Sequence, residues 1–290
     1  MQTRTIGDRK VSAIGLGTMP LSRPHHATGA LPDRRQAIET VHAALDVGVT
    51  FIDCADCYAP DEGPFGHNED LVAEALRRAG NPDVLVATKG GIQRDGAEWP
   101  LCGRPGYIRE AAYGSLSRLG VDSIGLYQHH RPDPEVPYAE TIGAFRDLYD
   151  EGVVQRVGLS NADPDQIREA HGILGEALVS VQNQLSPSFR TSEPELDLCD
   201  ELGLAFLPWS PLGGMSNAHE LGEDFRPFAE VAERHGVSPH QVAVAWLLAK
   251  SPNVVPIPGA SRPASILDCA EAVHLELGDD EFAALEGRAG

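Results

Sequence analysis

The run Thr50-Phe51-Ile52-Asp53-Cys54-Ala55-Asp56-Cys57-Tyr58 decides how this chain is read. An apolar stretch ends in an aspartate, and a tyrosine follows five residues later. Between two helical patterns, such a run is a buried parallel strand passing into a loop. Alternate side chains share a face, so Phe51 and Asp53 point one way and Ile52 and Cys54 the other. A carboxylate on an inner face is costly unless a cation meets it. Only three of the 23 basic residues are lysines, and one of them, Lys89, ends the next apolar run, Val84 to Lys89, on the parity of Leu85 and Ala87. A buried ammonium changes its acidity with its surroundings, whereas a guanidinium does not. Asp53, Tyr58 and Lys89 therefore read as one ionic cluster at the ends of two neighbouring strands. A structural ion pair is the plainer reading of the same residues.

Outward from this cluster the chain alternates strand and helix. Upstream, Thr3 to Val11 reads as a hairpin turning at Gly7-Asp8, Ala13 to Met19 as a first strand, and Arg35 to Leu45 as an amphipathic helix stopped near Gly48. Downstream, strand 50–53 precedes a helix at 68–78, and strand 84–89 one at 106–119. Strand 123–128 precedes a helix at 138–150, and strand 154–159 one at 164–174. Strand 178–182 precedes a helix at 194–202, and strand 205–209 precedes helices at 225–235 and 239–250. Strand 254–257 precedes a helix at 263–273, and a short helix at 279–287 follows. Eight right-handed strand–helix units close into a (β/α)8 TIM barrel, an α/β fold, with the N-terminal β-hairpin capping the barrel bottom. No linker or low-complexity segment interrupts the series, so residues 1–290 read as a single domain. A doubly wound sheet is the runner-up, but no dinucleotide-type glycine fingerprint follows the first strand.

Composition narrows the class further. A chain of 290 residues with 42% hydrophobic content can bury one large core. No stretch approaches the roughly 20 apolar residues of a membrane span, and the N-terminus lacks an apolar signal core. Five scattered cysteines suit reduced thiols in the cytoplasm. A net charge of −20 excludes nucleic acid and anionic membrane as favoured partners. Oligomeric state has no readable code; a monomer is compatible with the sequence.

In a barrel, chemistry collects at the carboxyl ends of the strands. Strand four gives two histidines there. Parity puts His130 with Leu126 and Gln128 at the mouth, and His129 with Tyr127 against the helices. Strand five ends Gly158-Leu159-Ser160-Asn161. Strand six carries Ser180 and Gln182 on one face, Val179 and Val181 on the other. Inner polar groups need partners, and a ligand is one source of them. Cys54 and Cys57 have redox spacing, but they leave a barrel strand without a second pair, so neither a metal nor a redox role is assigned. His25 and His26 read as solvated. Trp99, in the loop 90–105, could wall a substrate pocket or simply pack that loop.

Over essentially its full length the chain resembles an aldo-keto reductase. The resemblance rests on Asp53 and Tyr58, Thr88-Lys89, and Leu126 to Asp133. It extends through Gly158 to Asn161, Val181-Gln182-Asn183, Pro208 to Gly213, and Ile257 to Arg262. It implies a catalytic set of Asp53, Tyr58, Lys89 and His130, reducing an aldehyde or ketone with NADPH rather than NADH. Tyr58 would give the proton; its free pKa of about 10 would be lowered towards neutrality by Lys89. His130 would orient the carbonyl in a substrate pocket shared with Tyr58 and Trp99. Gly17, Thr18, Met19 and Asp53 would face the cofactor. Ser160, Asn161 and Gln182 would bind the nicotinamide carboxamide, Trp209 would stack on the ring, and Ser210, Pro211, Leu212 and Gly213 would follow the pyrophosphate. Pro258, Gly259, Ser261 and Arg262 would form the phosphate loop, with Arg262 on the 2′-phosphate. The chain is most similar to the bacterial branch that includes pyridoxal reductases. Where that branch usually continues with glutamine, glutamate and asparagine around the adenine, this chain has Ser265, Asp268 and Cys269. A cofactor-binding sensor or regulatory subunit with little turnover is the alternative function. The loops that would choose a substrate, at 20–33, 58–67, 90–105 and 212–224, carry no code.

Overall fold

The computed structural model describes residues 1–24, 29–60, 63–95, 98–213 and 225–287. The sequence reading of His25 and His26 lies outside these residues. Strands β1 (Thr3–Ile6) and β2 (Arg9–Ser12) form the hairpin, with Thr3 opposite Ser12. Its turn needs Gly7: φ is +60°, and a Cβ there would lie 2.6 Å from Cγ1 of Val179. The hairpin thus seats on the underside of the sheet, where Ile6 and Val11 pack with Phe51, Leu85, Leu126 and Val179.

Seven parallel strands follow in the order β3 (Leu16–Gly17), β4 (Phe51–Asp53), β5 (Leu85–Gly90), β6 (Leu126–His129), β7 (Val157–Ser160), β8 (Leu178–Gln182) and β9 (Ala205–Phe206). The barrel is closed by the segment 254–259. Val255 and Ile257 donate to the carbonyls of Phe206 and Pro208, while the carbonyls of Pro256 and Pro258 accept from Gly15 and Gly17. Pro256 and Pro258 have no N–H to return, so the seam with β3 is half a ladder. This corrects the sequence reading at two points. The eighth strand is reduced to isolated bridges at Val254 and Gly259, and the first pairs with β4 only at Leu16–Gly17, before a 3-10 turn at Met19–Leu21.

Ten helices among the described residues surround the strands: α1 (Arg34–Asp46), α2 (His67–Arg78), α3 (Pro105–Leu119), α4 (Tyr138–Asp150), α5 (Pro164–Leu174), α6 (Glu193–Leu202), α7 (Arg226–His235), α8 (Pro239–Lys250), α9 (Pro263–Glu271) and α10 (Asp279–Leu285). Their starts follow local chemistry. Asp163 accepts from the Gln166 N–H in a capping box with Pro164 behind it, and Asp33 caps α1 through Gln36. The apolar run Val242 to Leu248 makes α8 buried through most of its length. None of the helices is long and apolar enough to cross a membrane.

Two layers of core result. Phe51, Leu85, Ala87, Leu126, Val255 and Ile257 fill the barrel, while Tyr127, Phe145, Val181 and Trp246 pack between strands and helices. One alternation differs from the expectation. A register shift between β7 and β8 turns Val179 inward, whereas Val181 faces the helices. The extra residue of such an irregularity breaks the two-residue period.

Candidate active site

Asp53 ends β4 inside the barrel, 3% exposed, and its carboxylate is fully engaged. Oδ2 accepts from Lys89 Nζ at 2.6 Å, and Oδ1 accepts from the amides of Gln128 and Gln182 at 2.9 and 2.8 Å. Lys89 also donates to the carbonyl of Cys54 at 2.9 Å. Burial, the largest single influence, would make this ammonium more acidic, but Asp53, Tyr58 and Cys54 together, Asp53 foremost, hold the pKa above its ordinary value. Gln128, from β6, is a member the sequence reading left out. Its parity with Leu126 and His130 was the available signal. Gly158 makes room for it, since a Cβ there would lie 2.9 Å from Cγ of Gln128 and 2.6 Å from Oγ of Ser180.

Tyr58 stands in the loop after β4, with Lys89 Nζ 5.1 Å from its ring centre. The ring meets His130 edge-on at 5.7 Å and Trp99 at 6.3 Å. Contrary to the expected lowering, the pKa of Tyr58 is raised. Burial pushes the phenol pKa up, and the opposing pull of Lys89 does not overcome it. His130 is held well below the ordinary histidine range, first by burial and then by Lys89, Arg131 and His129. The loop itself is tied by Arg94, which donates to the carbonyls of Cys57, Ala59 and Pro60 at 3.1 Å. Trp99 both packs and lines: Arg23 and Arg94 each place a guanidinium 5.1 Å from its ring centre, and it borders the cavity.

That cavity measures about 260 Å³ and opens at the strand ends. Asp53, Tyr58, Trp99, His130, Ser160, Asn161, Gln182, Trp209 to Leu212, Gly17, Met19 and Gly259 border it, together with Pro20, Ile92, Arg131 and Ile257, to which the sequence reading gave no individual role. Asn161, at φ +58°, donates to the His130 carbonyl at 3.0 Å and to Ser160 Oγ at 2.9 Å. Ser210 also has positive φ, +49°, and its carbonyl accepts from Gly213 to close a turn. Trp209 carries a buried Nε1 without a partner among the described residues. His129 packs away from the cavity, against Tyr138 and Phe145.

Other expected residues lie elsewhere. Thr18 is fully buried, its hydroxyl bound to the Asp53 carbonyl and to Asn68. Pro258 serves the barrel seam. Arg262 stands at the N-cap of α9, exposed, with its Nε 3.2 Å from Ser265 Oγ. The Ser261 carbonyl accepts from Gln36. Asp268 accepts from Ser238 and Gln241 at 2.7 Å each, so it ties α9 to the first turn of α8. Cys269 is buried among Ile14, Val244 and Val273. Neither Asp268 nor Cys269 borders the cavity.

The sequence profile of the Aldo/keto reductase family matches residues 13–288. The chain belongs to that family. An uncharacterized oxidoreductase of Schizosaccharomyces pombe is 33% identical over 285 residues, covering 98% of this chain and 89% of that one. Among solved structures, the glycerol dehydrogenase of Gluconobacter oxydans superposes with a TM-score of 0.84 at 28% identity, covering 98% of this chain and 94% of that one. The aldo/keto reductase of Klebsiella pneumoniae, solved with NADP and acetate, gives 0.80 at 26% identity, covering 99% and 94%. This family member is therefore an oxidoreductase whose solved relatives include one that holds a nicotinamide cofactor.

Proposed function

We propose that this aldo/keto reductase uses NADPH to reduce an aldehyde or ketone to an alcohol, with Tyr58 supplying the proton. The observation that carries the reading is that Asp53, Tyr58 and His130 border one cavity, with Lys89 buried directly behind them. Lys89 lies 2.6 Å from Asp53 and 5.1 Å from the Tyr58 ring, and Tyr58 lies 5.7 Å from the His130 ring. Burial keeps Tyr58 protonated, the state a donor needs, while Lys89 stands ready to stabilise the phenolate left behind. Asp53 keeps Lys89 charged and, with Gln128 and Gln182, keeps it in place. Neutral His130 is suited to giving the carbonyl oxygen a hydrogen bond.

The chain's own groups fit the cofactor along the cavity. Ser160, Asn161 and Gln182, which border the cavity, would hold the carboxamide, with Trp209 beside them. Ser210 to Gly213 would follow the pyrophosphate, and Ser261 and Arg262 would take the 2′-phosphate, where a cation sits at a helix start. When bound, NADPH supplies the hydride. The test is NADPH oxidation against a panel of carbonyls, with titration of NADPH binding alongside. Binding without turnover on any of them would favour the regulatory alternative.

A further inference from the structure

The thiol of Cys57 lies 3.5 Å from Nδ1 of His130, a contact that spans 73 residues of sequence. Cys57 is fully buried and His130 is 6% exposed. A neutral imidazole carries a single proton, and the partner of one ring nitrogen decides which nitrogen holds it. Burial pushes the Cys57 thiol pKa up and the His130 imidazole pKa down, so the thiol keeps its proton and the ring stays neutral. With both groups neutral, the contact runs either from S–H to Nδ1 or from Nδ1–H to sulfur, and the imidazole nitrogen is a better acceptor than the thiol sulfur. Nε2, which has no protein partner among the described residues, keeps the ring's proton on the side away from Cys57.

We propose that Cys57 is a positioning residue: its S–H donates to Nδ1 of His130 and fixes the Nε2–H tautomer, so that His130 presents a hydrogen-bond donor to the carbonyl oxygen. The inference rests on the reading of His130 as the group that meets that oxygen. With the other tautomer, Nε2 would present a lone pair to an oxygen gaining negative charge, which is repulsive where stabilisation is needed. Cys57 is well placed to act this way. Arg94 holds its carbonyl, and Ala55, Tyr58 and Ile92 pack around it, so the sulfur has little freedom to turn away.

A second use of the same atoms is metal binding, because Asp56, Cys57 and His130 bring ligand-type atoms within 4.8 Å of one another. A metal would require Cys57 as thiolate, the form that burial opposes, and would replace the proton the tautomer depends on. The hydrogen bond asks for no such change.

The test compares Cys57→Val, which fills the volume without a donor, with Cys57→Ser, which keeps one. Cys57→Val should lower kcat roughly tenfold with the NADPH Kd unchanged, the loss of about one hydrogen bond's worth of selection. Cys57→Ser should recover most of that loss. Independently of turnover, long-range proton–nitrogen NMR on histidine-labelled wild type should show His130 with an unprotonated Nδ1 and a protonated Nε2. Wild type with the proton on Nδ1 would overturn the proposal even if neither variant folds. Equal losses in Cys57→Val and Cys57→Ser would also overturn it, since a packing defect alone would then suffice. Zinc inhibition of wild type that disappears in Cys57→Val would place a metal on the pair and overturn the assigned hydrogen bond. His130→Ala with undiminished turnover would remove the catalytic reading beneath the proposal, and the NMR result would then stand as a structural fact alone.

Discussion

The Asp53 end and the Arg262 end of this aldo/keto reductase are built on different principles. At Asp53, three donors from three other strands meet one carboxylate inside the barrel, and both oxygens are engaged. At Arg262, an exposed guanidinium has a hydrogen bond to one serine, three residues on. The first site is preorganised because strand ends cannot move independently; its groups point where they do before any ligand arrives. The second offers a charge and the N–H groups of a helix start, and solvent competes for both. Under the proposed function, chemistry that needs geometry falls to the first end, and recognition that needs only charge to the second.

The sharpest break in that comparison is Tyr58→Phe. Removing the hydroxyl should cut kcat on the order of 10²- to 10⁴-fold while leaving NADPH binding within a few-fold, because only the transition state uses it. Stopped-flow turnover and fluorescence titration measure the two separately. A variant with near-normal kcat would mean that the cluster around Lys89 is a structural ion pair and nothing more.

His129, next to His130, tests how rigid and dry the strand end is. Burial pushes its pKa down to about 4 from an ordinary value of 6.5. In this pH range the unfolded chain binds a proton that the folded chain refuses, so stability falls as pH drops from 6.5 towards 4. A shift of that size corresponds to something on the order of 3 kcal/mol. His129→Leu removes the penalty. Its Tm relative to wild type should therefore rise steadily as pH is lowered across that window, with little change in kcat at pH 7. A constant Tm difference would show that His129 takes up its proton in the folded protein.

At the other end, Arg262→Ala should weaken NADPH by tenfold to a hundredfold and NADH hardly at all. A lost charge-assisted contact is worth roughly 1.5–3 kcal/mol. Titrating both cofactors at one ionic strength avoids the screening of an overall charge of −20. Equal losses would leave phosphate recognition to Ser261 and the amides of α9. The smallest effect on binding is expected from Asp268→Ala. It removes two hydrogen bonds to the first turn of α8, about 1 kcal/mol each, so Tm should fall by a few degrees while NADPH affinity stays within twofold. A large loss of affinity would mean that Asp268 leaves Ser238 and Gln241 to meet the adenine.

The period of the chain was enough to read eight strand–helix units, because period 2 and period 3.6 are local properties written residue by residue. Parity along one strand likewise separated His130, which borders the cavity, from His129, which packs on Tyr138 and Phe145. A carboxylate and a rare lysine on inner faces of neighbouring strands were legible as a pair, since burying either alone is prohibitive.

What spacing could not supply is whatever depends on neighbours distant in sequence. Pro256 and Pro258 turn the last strand into a half-bonded seam only because Gly15 and Gly17 lie beside them. Val179 faces inward only because β7 and β8 slip past one another. The acidity of Tyr58 moved opposite to expectation because a charge pair is visible in sequence, whereas the loss of water around it is set by the packing of the whole barrel mouth. The Cys57 thiol had no visible role as part of a Cys-Ala-Asp-Cys spacing. Only the closing of the barrel sets it against the imidazole of His130, 73 residues away.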